Sequence, residues 1–532
     1  MAKKTRSLRG RRGSITLFVA LSMPIMLGVA ALGMDGTMLY IVQTELAAAV
    51  DGAALGAGRL LSTNANPTDI ATEFLNANFR VGQPGFWGAH NLTPTITVVT
   101  GTSKTVTITA NVTVPTMFAR LIGVNSTTVA ATATATRRDT RIEFVIDRSG
   151  SMQPVIANLI TYAQGFTEQF TNGYDEMGLV VFSGSAVVGY PATPWPSGLS
   201  PTGTGGPNNS FYNGASTDMV HQIGLIDANG GTATGEGLAL AYIELQKAHM
   251  RDMAANGNDP RMNAIVLFTD GVPSSAPVYL NKNGSSVISN GSPCNNKIDT
   301  SPPTNPMYGY VAESGYPPYS HSSAQGFYQL GSLDTANTQA NYLGNGSLDY
   351  TFPNPKTPES GCNSASNISN NWYSLSYLTA IPSFDKYGYS FSPNGNGYKV
   401  SAFTSTPNHA TSIYTGTAFS TADGTDGYQW GLAEWDEADQ VAEAIRTDAN
   451  YANRAGDTSQ MNITIYTIGY TGTNGTDYGL LQKLANMPGS SANNYSTYND
   501  NEPPGLYVQA SDTTALANAF STIATAILRL SH

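Results

Sequence analysis

Charge and sulfur are scarce in this chain. Of its 532 residues only 12% are Asp, Glu, Lys or Arg, against about 25% in an ordinary soluble domain. There are two cysteines and six histidines. The histidines (His90, His221, His249, His321, His409, His532) are scattered, with no HExxH or similar pair, so nothing indicates a zinc centre. No G-x-x-x-x-G-K-[ST] phosphate loop and no G-x-S-x-G elbow occurs, which removes the simplest nucleotide-hydrolase and α/β-hydrolase readings. Basic residues are outnumbered, 26 against 37 acidic, for a net charge of −11. That is the wrong sign for a nucleic-acid binder. Acid groupings such as Asp175-Glu176 and Glu434/Asp436/Glu437 read as solvated faces rather than catalytic dyads. No nucleophile–base arrangement is legible, so the chain reads as a non-enzyme. Hydrophobic residues, at 41%, suffice for a sizeable core and exclude a disordered chain.

What charge there is lies unevenly. Residues 1–12 carry six Lys/Arg and no acid, leaving 20 basic against 37 acidic residues in the rest. Gly13 to Met34 then gives 22 residues without charge. As a helix at about 1.5 Å per residue this spans a hydrocarbon core of about 30 Å, and Pro24 is tolerated there. The basic flank predicts a cytoplasmic segment over 1–12, a transmembrane helix over 13–34 and an exported remainder. A cleaved signal peptide is the alternative, with an apolar region of about 7–15 residues. The longer stretch here runs on into a helical pattern, Met38, Ile41, Val42, Leu46, Ala49, Val50, Ala53, Leu60 and Leu61, and favours an uncleaved or pilin-like anchor. Cys294 and Cys362 fall on the exported side, where two cysteines are most simply one disulfide.

After the anchor, residues 37–61 read as a long Ala/Gly-rich helix and 68–79 as a short second one. Period-two, β-branched runs at 95–99, 105–112 and 127–136 predict a small antiparallel sheet. Together, 35–138 is a pilin-like helix plus small β-sheet. From 139 to 532 the pattern becomes strand–helix alternation: strands at 142–146, 177–182, 264–268 and 463–468, helices at 152–170, 235–250, 436–447, 480–485 and 513–530. That predicts an α/β fold with a doubly wound, mostly parallel sheet. Two insertions interrupt it, at 190–228 and 273–425. The second holds 14 of the 28 tyrosines and only 12 charged residues, which predicts an ordered, loop-rich subdomain rather than a disordered one.

The chemistry lies at strand ends. The first apolar strand ends in Asp147-Arg148-Ser149-Gly150-Ser151, Gly231-Thr232-Ala233-Thr234 precedes a helix, and Phe268-Thr269-Asp270-Gly271 ends a second buried strand. Parallel sheets bind ligands at that edge. Two carboxylates and three hydroxyls suit a hard divalent cation such as Mg²⁺, which takes six oxygens and keeps some waters. A site so composed stays underneutralised and can accept an acidic group from a partner. Capping of the next helix would need only one of these side chains.

On these residues, 141–532 outside the insertions resembles a von Willebrand factor A domain. Asp147, Ser149 and Ser151 match the Asp-x-Ser-x-Ser of its metal-ion-dependent adhesion site, Thr232 its Thr (with Thr234 a rival), and Asp270 its second Asp. The resemblance implies ligand capture through a bound Mg²⁺, Mn²⁺ or Ca²⁺. The N-terminal segment, Arg11-Arg12-Gly13-Ser14 and then Val42-Gln43-Thr44-Glu45-Leu46-Ala47-Ala48-Ala49-Val50-Asp51-Gly52-Ala53-Ala54-Leu55-Gly56-Ala57-Gly58, resembles TadG-like proteins of the bacterial Tad (Flp) pilus system. That family often joins a pilin-like N-terminus to such a domain. The pilin likeness implies processing after a Gly and a Glu at the fifth mature position. Cleavage after Gly13 would put Phe18 there, a departure that suits a subunit at the pilus tip.

The expectation is therefore a metal-dependent adhesin, anchored in the bacterial inner membrane with its C-terminal domain exported, or displayed at the cell surface on a pilus. Its partners would be an acidic group on a protein or surface, other Tad/Flp pilus components, and the membrane through the N-terminal helix. The competing expectation is an envelope assembly factor that binds another component during pilus biogenesis.

Overall fold

The computed structural model describes residues 12–61, 66–82, 86–99, 103–184, 186–191, 206–228, 231–270, 273–281, 297–298, 307–313, 324–329, 372–373, 385, 387–391, 427–449, 459–471, 478–492, 495–496 and 498–530. The basic segment 1–11, Cys294 and Cys362 lie outside them. The chain divides into two compact units, Met1–Arg138 and Asp139–Ser531.

In the first unit the anchor and the Ala/Gly-rich helix are continuous. Helix α1 runs Arg12–Arg59, with Pro24 inside it. It is long and apolar enough to cross a membrane. From Phe18 to Met34 its large apolar side chains are exposed, whereas Met38, Val42, Leu46, Ala49, Val50, Ala53 and Ala57 are buried. Their three- and four-residue spacing puts them on one helix face. That face meets α2 (Pro67–Asn78, capped by Asn66) and an antiparallel sheet of β1 (His90–Val99), β2 (Ser103–Pro115) and β3 (Ser126–Arg138).

Val106, Ile108, Ala110, Val112 and Val114 alternate along β2 into this core, the period-two face of a strand. On β2's other face, threonine hydroxyls bridge to β3 at Thr107–Thr134 and Thr109–Thr132, both 3.0 Å. Small residues let α1 lie close to the sheet. A Cβ at Gly58 would come within 2.9 Å of the Ala135 Cβ.

In the second unit the doubly wound sheet is present. Its strands are β4 (Thr140–Asp147), β5 (Glu176–Phe182), β6 (Ala186–Tyr190), β7 (Met262–Thr269), β13 (Ile463–Tyr470) and β16 (Leu506–Ala510), in the order β16-β13-β7-β4-β5-β6. All neighbours are parallel except the β5–β6 edge. Every residue of β4 is buried, as a strand covered on both faces requires. Ile142, Phe144 and Ile146 face one layer, made by α3 (Ile156–Thr167), α4 (Met219–Gly224) and α8 (Thr513–Leu530), where Phe144, Phe166, Phe268 and Phe520 cluster. Val145 faces the other, made by α5 (Thr234–Asn256), α6 (Gly427–Arg446) and α7 (Tyr478–Leu484).

The described part of the long insertion forms a second sheet: β8 (Ser275–Asn281), β9 (Lys297–Ile298), β10 (Met307–Glu313), β11 (Ala324–Gln329) and β12 (Trp372–Tyr373), in the order β12-β11-β10-β8-β9, all antiparallel. A short ribbon, β14 (Ser491–Ala492) with β15 (Tyr495–Ser496), follows α7. Of the other insertion, 206–228 is described and includes α4.

The acid groupings read as solvated faces are buried instead. Glu434 and Glu437 have no exposure, and Asp436 is nearly as covered. Their helix α6 packs against α5 and α7 and also against β8, β10 and β11 of the insertion; the Glu437 carboxylate lies over Gly235 of α5, and Lys483 of α7 is among the charges that act on Asp436. Asp175 accepts hydrogen bonds from the Thr140 N–H (2.9 Å) and the Thr171 N–H (2.8 Å), tying the starts of β4 and β5 together.

Glu176 joins a buried charge network at the same sheet edge. Arg141 is fully buried and holds Glu176 at 2.7 Å, Asp252 at 2.6 Å, and Asp259. Arg251 adds a contact to Glu176 at 2.7 Å, and Arg261 pairs with Asp252. Burial works against the Asp259 charge, but the His249 hydrogen bond and the Arg141 guanidinium prevail and hold its carboxyl down at about 2. Removing the hub takes from three buried carboxylates the one guanidinium they share, leaving Glu176 to Arg251, Asp252 to Arg261 and Asp259 to His249. Arg141→Met should cost about 3–5 kcal/mol, read as a lowered urea midpoint. Asp259 works in the depressed-acid direction: its contribution is intact above the ordinary value of 3.8 and is lost as pH falls toward about 2.

Candidate metal and ligand site at the switch point

Chain order makes β4 and β7 the first and fourth strands of the main sheet, yet they are neighbours at its centre. The connections on either side of this pair run in opposite directions, and doubly wound sheets bind ligands beyond the strand ends at such a switch point. Asp147 closes β4, and Asp270 directly follows β7.

Asp147 is completely buried, and Ser149, Thr232 and Asp270 are each 2% exposed. Only Ser151 is partly exposed, next to exposed Gly150, so solvent reaches the set from that loop. The Ser149 N–H donates to Asp147 Oδ1 at 2.7 Å. The Ser149 and Ser151 hydroxyls lie 3.0 Å apart, and Ser151 Oγ donates to Asp270 Oδ1 at 2.8 Å. Four of the five expected residues thus form one hydrogen-bonded chain between the two strand ends. Thr232 comes to the rim by its backbone: its N–H donates to Ser274 Oγ at 3.0 Å, and its carbonyl accepts from the Ser274 N–H at 2.8 Å. Ala233 N–H bonds the Ser183 carbonyl beyond β5 at 2.7 Å. Among the described residues, the hydrogen bonds of Thr232 are these two backbone ones. Thr234, its rival, is buried, and its hydroxyl is unpartnered among the described residues.

Two supporting residues were not legible as such. Thr269 Oγ1 donates to Asp147 Oδ2 at 2.5 Å and fixes the second carboxylate oxygen. Ser274, at the start of the long insertion, holds the Thr232 loop. A hydroxyl before Asp270 and another shortly after it were the only available signals.

The electrostatics fit a cation. Burial raises the Asp147 carboxyl above its ordinary value, outweighing the hydrogen bonds from Thr269 and Ser149. Burial and then the Asp147 charge raise Asp270 as well. Arg148, although adjacent, turns to Asp227, reaching its carbonyl at 2.7 Å and its carboxylate at 2.6 Å. Among the described residues no group of three or more His, Cys, Asp or Glu could hold a metal. An ion at the switch point would therefore depend on hydroxyls and water beside the two acids, a donor set that suits hard cations.

Comparison with known proteins bears first on the N-terminus. Residues 13–60 match the family described as "Putative Flp pilus-assembly TadE/G-like". The match is confined to α1 and leaves the second unit untouched. No curated protein matches the chain. Similar solved structures include the pilus adhesin SpaC from Lactobacillus rhamnosus GG in its open conformation, at 11% identity and TM-score 0.31, covering 82% of this chain and 34% of that one. The von Willebrand domain of the type V pili tip protein Mfa5 from Porphyromonas gingivalis gives 16%, 0.30, 75% and 98% in the same order. A point mutant of the PilB minor pilin from Streptococcus sanguinis gives 15%, 0.29, 83% and 79%. The chain thus spans about a third of the length of SpaC. The mixed α/β, von Willebrand A-like architecture rests on the strand order above.

Acids raised by burial keep protons that the unfolded chain has released. Without added cation, stability should therefore fall as pH rises from about 4 to about 7. Asp270→Asn removes one of the two charges and should flatten that slope. Urea midpoints of both proteins across the range check this, and an unchanged slope would count against the shared buried charge.

Proposed function

We propose that this protein is a non-enzymatic adhesin of the pilus or cell envelope, whose von Willebrand A-like unit captures an acidic group through a divalent cation held by Asp147, Ser149, Ser151, Thr232 and Asp270. The observation that carries the reading is the hydrogen-bonded chain from Asp147 through Ser149 and Ser151 to Asp270 across the sheet's switch point. It sets two acids and two hydroxyls around one spot that solvent reaches beside Ser151. When bound, Mg²⁺, Mn²⁺ or Ca²⁺ would neutralise the two carboxylates and offer an open position to a partner's carboxylate. The chain's own groups orient the oxygens: Thr269 and the Ser149 N–H hold Asp147, and Ser274 holds the Thr232 loop.

The TadE/G-like match over 13–60 and the exposed apolar half of α1 favour anchoring in the inner membrane or placement on a pilus. Phe18, where a polymerising pilin would carry Glu, favours the tip. The same match, to a family described by pilus assembly, favours a second reading in which the A-like unit binds another envelope component during biogenesis.

Asp147→Ala should abolish cation-dependent attachment of cells to a surface while leaving the circular dichroism spectrum unchanged, and EDTA should mimic it in the wild type. Attachment that survives both would rule out the metal as the contact. Deleting the gene separates the two readings: loss of pili supports the assembly role, and intact pili without attachment support adhesion.

A further inference from the structure

The first unit ends in an apolar turn beside the membrane end of α1. Asp35 directly follows the uncharged stretch 13–34, yet it is only 4% exposed. Its carboxylate accepts hydrogen bonds from the backbone N–H groups of Met117 (2.9 Å), Phe118 (3.0 Å) and Ala119 (2.7 Å). These residues open the β2–β3 connection, which contains a single 3₁₀ turn, Ala119–Ile122. The connection is internally braced. Thr116 N–H bonds the Asn125 carbonyl at 3.1 Å, Val124 N–H bonds the Ala119 carbonyl at 3.1 Å, and the Thr116 hydroxyl bonds the Val124 carbonyl.

This braced turn faces its apolar side chains outward. Leu121 is 80% exposed, Ile122 74%, Met117 55% and Val124 46%. Trp87 is 47% exposed, and the next residue, Gly88, abuts Pro115 at the end of β2. Arg120 is exposed in the same turn. Scattered exposed apolar residues are ordinary, but a contiguous group marks a contact surface. The occupant follows from continuity, because this group is pinned to the residue at which the uncharged, exposed stretch of α1 stops.

We infer that the β2–β3 turn is a second membrane contact: Met117, Leu121, Ile122 and Val124 enter the boundary between headgroups and acyl chains on the exported side, with Trp87 at headgroup level and Arg120 reaching lipid phosphates. Interfacial segments bury apolar side chains about 5–10 Å into that boundary, and Trp is enriched there. Asp35 makes the placement feasible, since its charge at the edge of the hydrocarbon is satisfied by three donors from the turn. Two attachment points, helix and turn, fix how far the first unit stands from the bilayer and restrict its tilt.

The inference rests on the membrane reading of residues 13–34, and its test separates the two. Full-length protein is reconstituted into phosphatidylcholine–phosphatidylglycerol vesicles with a dansyl amino acid placed, one position at a time, at Leu27, Leu121 or Val99. Val99 is exposed and lies at the opposite end of β1, about 30 Å from His90. Quenching is compared between aqueous iodide and lipids with a nitroxide near the headgroup or near the chain end. The expected result is that position 27 responds most to the deep nitroxide, position 121 to the shallow one, and position 99 to iodide alone. Iodide quenching at 121 matching that at 99, with 27 still lipid-quenched, would overturn the inference and spare the anchor. Protection of 121 from every quencher would mean a protein covers the turn, and would also overturn it. Iodide access at 27 would remove the membrane reading and this inference with it.

Discussion

Asp147 and Asp270 stand at the ends of adjacent parallel strands, out of water, with one serine hydroxyl between their loops. Burial penalises the charge of each, and the Asp147 carboxylate raises Asp270 further. The architecture around them spends its hydrogen bonds accordingly. Thr269 and the Ser149 N–H take the two oxygens of Asp147, Ser151 takes one of Asp270, and Arg148 turns to Asp227. The carboxylates are thus positioned more than neutralised, the condition under which a small divalent ion binds and still attracts an anionic partner.

The same strand manages charge differently at its two ends. About 20 Å separates Arg141 from Asp147 along β4. At the Arg141 end, acids and guanidiniums are matched in a closed buried network. At the Asp147 end, acids are gathered with hydroxyls instead. A chain with only 12% charged residues thus places several of them in its interior. The matched end closes on itself, whereas the mismatched end is where the proposed site lies.

In the first unit the limiting factor is closeness. Alanines and Gly58 on α1 let the helix lie on a β-sheet whose inner face is β-branched and whose outer face is bridged by threonines. The apolar stretch and the packed stretch belong to one continuous helix, and the loop pinned at Asp35 meets it where the first gives way to the second.

The sequence alone determined the local grammar. Uncharged residues 13–34, the α1 face of Val42, Leu46 and Val50, the alternation of β2 and the buried runs ending in Asp147 and Asp270 are each legible, because helix and strand periods are set within a few residues. The doubly wound class followed from strand–helix alternation. Only the tertiary structure decided burial and partnership. Glu434, Asp436 and Glu437 look like a solvated face until α5, α7 and a distant insertion close around their helix. Arg141, Glu176, Asp252 and Asp259 show no pattern until the strands are in register. Thr269 and Ser274 gain roles only because β7 lies beside β4 and the insertion starts at the rim. Contacts between residues more than a hundred positions apart depend on which elements become neighbours, and no local period encodes that.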